Sequence, residues 1–348
     1  MKTNINEVAE KAGVSIATVS RAFQANGLVK EETRLRILQI ARELNYKPSP
    51  IARGLSTQKT DTIGVILPDL VGEFFMDIIH GIDQEADSAG KFILVSSSHN
   101  QRNTVETLLE FMASGRVDGV VLMATKMHKE FAEIIKNSKR PIVLINAPKE
   151  LTGVVNFQID NYNGAYNIVG HLAEHGYKKI AIIKGPLNNC DADDRFRGYL
   201  EALNDHGLAI EDSFIVNGDF SIKSGYYGFM RLMSQRNKPE AIFCANDMMA
   251  LGAYDAAKLS GFKIPQDTAI AGFDDIFLTK LLNPRLTTIH VPIAELGSKA
   301  LKYLLKMINR EVDPKKPYTE MLSTGLVIGG SCGCTSNSLA DSIVNMEI

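Results

Sequence analysis

The sequence has 348 residues, 45% of them hydrophobic and 22% charged, with a formal net charge of −2. A chain of this length can build two or three domains around a large core. No apolar run approaches the roughly 18 residues that cross a membrane, and four scattered cysteines do not make a disulfide scaffold. The opening "MKTNINEVAEKAG" lacks the apolar segment of a secretory signal, so the expected compartment is cytoplasmic, with no membrane partner.

The charge is unevenly spread. Residues 1–60 hold ten Lys/Arg against five acids, a net +5 that leaves −7 for the remainder. A basic module on an acidic body points to a polyanion partner for the module alone. Charge by itself does not decide between that partner and chance clustering on a solvated face.

Residues 4–46 carry three helical patterns and no strand pattern. Asn4 is the expected N-cap of the first helix, whose stripe is Ile5, Val8, Ala9 and Ala12. "GV" at 13–14 makes a tight turn, and Ser15 caps a second helix reaching about Phe23. A third helix is expected over 31–44. Helix, short glycine-containing turn, helix is the helix-turn-helix layout. If Val19 packs inward, helical spacing turns Ile16, Ala17, Ser20 and Arg21 outward. Pro48 and Pro50 then break the third helix, and residues 50–56 are too few for a stable isolated helix.

From Thr62 the texture changes. Short Val/Ile-rich runs ("TIGVIL", "KFILVSSS", "VDGVVLMA", "PIVLINA") alternate with amphipathic stretches, and the pattern recurs from "KIAIIKG" to "AIAGFDD". Alternating strand and helix predicts two doubly wound parallel sheets with a cleft between them. Ligands in such sheets sit beyond the carboxyl ends of strands. That rule nominates Asp69, Asn146, Phe220, Asn246, Asp247 and Asp274.

Three motif matches point elsewhere. "GGSCG" at 329–333 fits the nucleophile elbow, but the last histidine, His290, lies upstream of Ser331, so the triad order fails. "HLAEH" at 171–175 has a zinc-helix spacing without a third ligand, and reads as surface or capping histidines. "CGC" at 332–334 offers two thiols without a second pair. No Walker A loop or glycine fingerprint follows a strand, so neither a metal nor another cofactor is expected, nor an enzyme.

The strings "INEVAEKAGVSIATVSRAF", "EETRLRILQIARELNYKPSPIARGL", "IGVILPDL", "CANDMMALGAY", "AGFDDI" and "LTTIHVP" resemble the LacI-type (lactose/galactose repressor) family of bacterial transcription regulators. The resemblance runs from Asn4 to about Ser331. It implies a dimer with a DNA-binding headpiece, a hinge helix and a two-lobed sensor like a periplasmic sugar-binding protein. The domains expected are a headpiece (1–47), a hinge (48–60), a sensor N-terminal lobe (61–160 and 292–321), a C-terminal lobe (161–291 and 322–334) and a tail (335–348). The tail holds no sustained heptads, so the expected assembly is a homodimer on a pseudo-palindromic operator of double-stranded DNA.

The second helix is expected in the major groove. Ser15, Thr18 and Ser20 suit phosphate contacts, and Asn4 and Tyr46 match family positions that touch the backbone. Arg21 is expected to read a guanine through two donors. Ile16 and Ala17 occupy the family's variable base-reading positions, where they can pack on a thymine methyl; the other reading puts Ile16 in the core. "PSPIARGL" carries the family's hinge string, with Leu55 as a minor-groove wedge, Ala52 beside it and Arg53 supporting the hinge or a phosphate.

In the sensor, "DRFRGY" makes Arg195 the expected effector anchor. Asn146, Asn246 and Asp274 match positions that hydrogen-bond sugar hydroxyls, and Phe220 matches an aromatic that stacks on a sugar face. Phe74 or Phe75 is the opposite wall. Asp160 and Asp247 are read as capping or hinge groups. Glu73 stands where many members carry proline, Asn146 where aspartate is frequent, and Gln24 where asparagine is common. The resemblance implies an effector-controlled repressor with a sugar-type ligand. A corepressor-type regulator with a purine-like ligand stays open, as does a sugar-binding protein without DNA function.

Overall fold

The computed structural model describes residues 4–23, 28–46, 59–97, 107–108, 110–111, 115–126 and 130–334. Gln24, the hinge residues Ala52, Arg53 and Leu55, and the tail 335–348 lie outside the described residues. The chain divides into two compact units, Met1–Asp61 and Thr62–Ile348.

The first unit is three helices: α1 (Ile5–Ala12), α2 (Ile16–Ala22) and α3 (Glu31–Glu43). The Asn4 side chain accepts from the backbone amides of Asn6 and Glu7 at 2.9 and 3.2 Å. The Ser15 hydroxyl accepts from the Thr18 amide at 3.2 Å. Each cap satisfies a donor that the helix itself cannot. α3 has no side-chain cap, and Glu31 and Glu32 in its first turn answer the helix dipole instead. Val8, Ala9, Ala12, Val19, Ala22, Ile37 and Ala41 close the core, with Phe23 and Tyr46 packed at its margin. Each fully buried Val or Ile there contributes roughly 1.5–3 kcal/mol. Arg34 donates to the Ala22 carbonyl at 3.2 Å, which ties α3 to the end of α2.

In the second unit, β1 (Thr62–Leu67), β2 (Phe92–Ser97), β3 (Gly119–Met123), β4 (Ile142–Ile145) and β5 (Val155–Ile159) form a parallel sheet. Its order is β11–β5–β4–β3–β1–β2, where β11 is Tyr318–Leu322 and joins from the far end of the chain. Two helices, α4 (Glu73–Ser88) and α5 (Glu130–Lys136), follow β1 and β3. After β5 come α6 (Asn161–Glu174), β6 (Ile180–Lys184), α7 (Cys190–Asp205), β7 (Ile215–Asn217), α8 (Ile222–Met233), β8 (Ala241–Cys244), α9 (Asp247–Leu259) and β9 (Ala269–Ala271). Their sheet is also parallel, in the order β7–β6–β8–β9. Near-continuous apolar strands such as Ile142–Ile145 and Ala241–Cys244 are buried throughout, as parallel strands covered on both faces must be.

The chain then makes β10 (Thr288–His290), returns along α10 (Ile293–Ile308) and β11, and finishes at β12 (Gly325–Val327). β10 and β12 pair antiparallel, which the alternating pattern did not predict. α10 buries Leu296, Ala300, Leu301 and Leu304 in the core shared with Ile78 and Ile82 of α4. The chain beyond β12 folds over α6. "HLAEH" and "CGC", read from sequence as two unrelated features, therefore meet: the Cys334 thiol lies 3.0 Å from His175 Nε2.

Candidate functional site

Two sets of residues were nominated, one in each unit. In the helical unit, α2 buries Val19 and Ala22 and leaves Ile16 49% exposed. Ala17 and Arg21 are exposed beside it. Ile16 is thus not a core residue. The hydroxyls of Ser15 and Thr18 share a hydrogen bond of 2.9 Å, and Ser20 is half-buried. The cap role occupies the acceptor oxygen of Asn4 but leaves its amide donors. Tyr46 rests edge-on against Phe23, ring centroids 5.9 Å apart.

In the sensor, five of the six expected effector residues (Phe74, Asn146, Arg195, Phe220, Asn246 and Asp274) belong to one network, Phe74 being the exception. Arg195 sits on α7 with 3% of its surface exposed. Its Nε donates to Asn161 Oδ1 at 2.8 Å and its Nη1 to the Ala245 carbonyl at 2.5 Å. Its Nη2 lies 3.2 Å from Asp274 Oδ1. The guanidinium stacks over Phe273 at 3.8 Å and faces Phe220 at 5.6 Å. Asn246 caps α9 with its oxygen and donates its amide to the Phe220 carbonyl at 3.1 Å. Asn161 passes the network on to Asp191 at 2.9 Å, and Asn146 donates to the other Asp191 oxygen at 3.0 Å. Asn146 follows β4 and Arg195 follows β6, so the chain of contacts joins the two sheets. A buried guanidinium is tolerable here because each face and edge has a partner.

The backbone marks the same places. Asn146, Phe220 and Asp274 all have positive φ, at 49°, 69° and 121°. Left-handed backbone in a non-glycine residue stores strain, and such residues cluster at functional sites. Gly185 fits this geometry, since a Cβ there would collide with the Phe220 ring and with Ala192. The Asp274 carboxylate adds a second mark: although it forms the ion pair, its buried Oδ1 accepts no aligned hydrogen bond among the described residues.

Neither of two cavities near the network is lined by all six. Asn146 borders a cavity of about 350 Å³ with Asp191, Asp194 and Arg197. Asp274 borders a second of about 260 Å³ with Asp77, Asp275 and His290. Arg195 borders neither of these two cavities. Phe74 is on the first turn of α4, half-buried and edge-on to Phe75 at 5.5 Å, and borders neither cavity. Asp69 accepts from the amides of Leu70 and Val71 in its own turn. Asp160 caps α6, as its capping reading had it.

Sequence reasoning missed three groups. Asp191 was hidden inside the acidic run "CDADD". Asn161 opens α6 with no motif around it. Glu73 was noted only as a departure, yet its carboxylate accepts from the amides of Phe277 and Leu278. That clamp ties the α4 end of one lobe to a 3-10 turn of the other.

Burial raises all three central carboxyls: Asp191 to about 6, Asp274 to about 7 and Asp247 to about 8. Arg195 pulls the first two back down, and the Asp274 charge pushes Asp247 further up. Asp247 is fully buried and accepts from the Thr288 hydroxyl at 2.7 Å and the Ile276 amide at 3.0 Å. A carboxyl with a raised folded-state pKa holds its proton longer folded than unfolded. Its stabilising contribution is complete below the ordinary value near 4 and is lost as pH rises through about 8. Resistance of the wild type to urea should therefore fall as pH rises from about 5 to about 8. Asp247→Asn, neutral throughout, should weaken less over the same range. Parallel pH slopes for the two proteins would remove Asp247 as a source of the effect.

A helix-turn-helix unit joined in sequence to a two-lobed sensor of parallel sheets defines the class: a DNA-binding regulator with a periplasmic-binding-protein-like sensor. Residues 4–49 match the model for bacterial regulatory proteins of the lacI family, and residues 169–332 match the periplasmic binding protein-like domain. Catabolite control protein A of Priestia megaterium is 35% identical over 315 residues, covering 89% of this chain and 94% of that protein. The transcriptional repressor CytR of Escherichia coli K12 is 35% identical over 301 residues, covering 86% and 88%. The Lac repressor dimer bound to operator and the anti-inducer ONPF superposes with a TM-score of 0.84 at 27% identity, covering 95% of this chain and 99% of that one. The chain belongs to the lacI family of DNA-binding transcriptional repressors. Among the described residues no helix is long and apolar enough to cross a membrane.

Proposed function

We propose that the chain acts as a homodimer on a pseudo-palindromic operator, and that a sugar or sugar derivative bound between the sensor lobes sets its operator affinity. The observation that carries this reading is the Arg195 network, which links Asn146 of one lobe to Asp274 of the other through left-handed backbone at both ends. The buried Asp274 Oδ1 has an unfilled acceptor position that a ligand hydroxyl would fill if the lobes part, and Phe220 offers an aromatic face beside Arg195. Ligand binding and lobe geometry are then one equilibrium. Coupling must be reciprocal: the effector changes operator affinity by the factor by which operator changes effector affinity.

Thermal-shift screening of the full chain against sugars and nucleobases tests the ligand class. A sugar that raises the midpoint and alters operator affinity supports the reading. A nucleobase that does so instead selects the purine corepressor. A hit with no effect on DNA affinity defeats effector control.

In the major groove, Ile16 and Ala17 face thymine methyls in this reading. Replacing one contacted thymine by uracil removes a methyl worth about 0.8 kcal/mol, roughly fourfold in affinity. The loss should be seen with the wild type and vanish with Ile16→Ala. Equal losses in both proteins would show that Ile16 does not touch that methyl.

A further inference from the structure

The contact between the end of the chain and α6 assembles four metal-ligating side chains: His171, His175, Cys332 and Cys334. Their donor atoms all lie within 4.8 Å of one another. His171 Nε2 is 3.4 Å from the Cys332 thiol and 3.8 Å from the Cys334 thiol. His175 Nε2 is 3.0 Å from the Cys334 thiol. A tetrahedral zinc ion with Zn–S of about 2.3 Å and Zn–N of about 2.0–2.1 Å sets neighbouring sulfur and nitrogen ligands about 3.5 Å apart. The three sulfur–nitrogen distances bracket that edge.

We infer that these residues form a structural site for a borderline-soft divalent cation, namely zinc. The donor set supports this assignment. Two histidines at i and i+4 project from one face of a helix end, and two thiols from a Cys-Gly-Cys turn oppose them. Four protein ligands close the coordination sphere, which marks a structural site and leaves no open position for catalysis. Neither half has enough ligands alone, and that is why each looked incidental in the sequence.

The backbone holds the thiols in place. Gly333, between them, has φ of 92°, a conformation that L side chains rarely adopt. This turn lets both cysteines face the helix. The Tyr177 hydroxyl donates to the Cys332 carbonyl at 3.0 Å and fixes the turn over the end of α6. Cys332 is buried, whereas His175 is exposed and Cys334 half-buried, so an ion has a path in. The bound ion would staple the last described residues to α6.

The test is metal analysis of the untagged full-length chain purified under reducing conditions, with cobalt(II) as the spectroscopic probe. One zinc per chain is expected. After exchange, cobalt should give the intense visible bands of tetrahedral coordination together with thiolate-to-cobalt charge transfer. Cys334→Ser and His175→Gln change accessible side chains, and each should lose the bands. Each should weaken zinc binding by more than the roughly 10–100-fold typical of outer-shell partners. A chelator should lower the thermal midpoint of the wild type and leave that of Cys334→Ser unchanged. If Cys334→Ser fails to fold, His175→Gln decides. Substoichiometric zinc with octahedral cobalt spectra, or unchanged stoichiometry in the two variants, would show a hydrogen-bonded thiol–imidazole cluster and overturn the site.

Discussion

Replacing Arg195 with alanine should destabilise the sensor by about 3–5 kcal/mol, the usual cost of leaving one member of a buried ion pair alone. Asp274 loses the cation 3.2 Å away and keeps its burial. The Asn161 oxygen and the Ala245 carbonyl lose their donors, and each unsatisfied buried acceptor adds to the loss. The Phe273 ring loses the guanidinium stacked on it. Because burial already raises Asp274 to about 7, the variant escapes part of the penalty by protonating that carboxyl. The deficit should thus be smaller at pH 6 than at pH 8.5. Urea unfolding followed by circular dichroism at both values measures it. Arg195→Lys should fall between the two, since an ammonium retains the charge but cannot hold three partners in a planar fork. Both variants should also lose the thermal shift given by an effector. A deficit under about 1 kcal/mol at pH 8.5 would mean that the network does not bear on the fold as its contacts imply.

The parts legible in sequence were those written in local periodicity. Asn4 and Ser15 announced their helices because a cap needs only the next three residues. Central strands such as β3, β4, β6 and β8 were legible as short apolar runs, since strands covered on both faces must be apolar along their length, whereas β5 and the half-exposed edge strand β11 carried no such run. β10 and β12 were not, because three residues carry no period and their pairing spans the whole N-terminal return. The same divide runs through the site. Asn246 and Asp274 were readable from their places at strand ends, and Arg195 from the resemblance of "DRFRGY" on α7. Asp191 was not: an acid in the first turn of a helix normally reads as solvated, and its burial depends on Asn146, 45 residues away. His171 and Cys332 are 161 positions apart, and only the fold makes them neighbours. Glu73 stood out as unusual, but its clamp on Phe277 needed both lobes to be seen.

Arg21→Ala should weaken binding to the specific operator by about 1–3 kcal/mol, roughly 5–150-fold, and relax discrimination at one base pair per half-site. The residue lies exposed on α2, on the outward side that also carries Ile16 and Ala17, with Val19 and Ala22 turned to the core. Its removal therefore leaves the packing of the helical unit intact, and the loss is one of recognition. A guanidinium that bridges guanine O6 and N7 reads a base, so the penalty should be large on the operator and small on unrelated DNA. A phosphate contact behaves otherwise: its loss weakens all sequences alike and lowers the salt dependence by about one counterion. Fluorescence anisotropy with the operator and with single-base variants, at several salt concentrations, separates the two. A uniform loss with a shallower salt slope would move Arg21 from the base edges to the backbone. In that case Ile16 and Ala17 would be left as the base-reading side chains of α2.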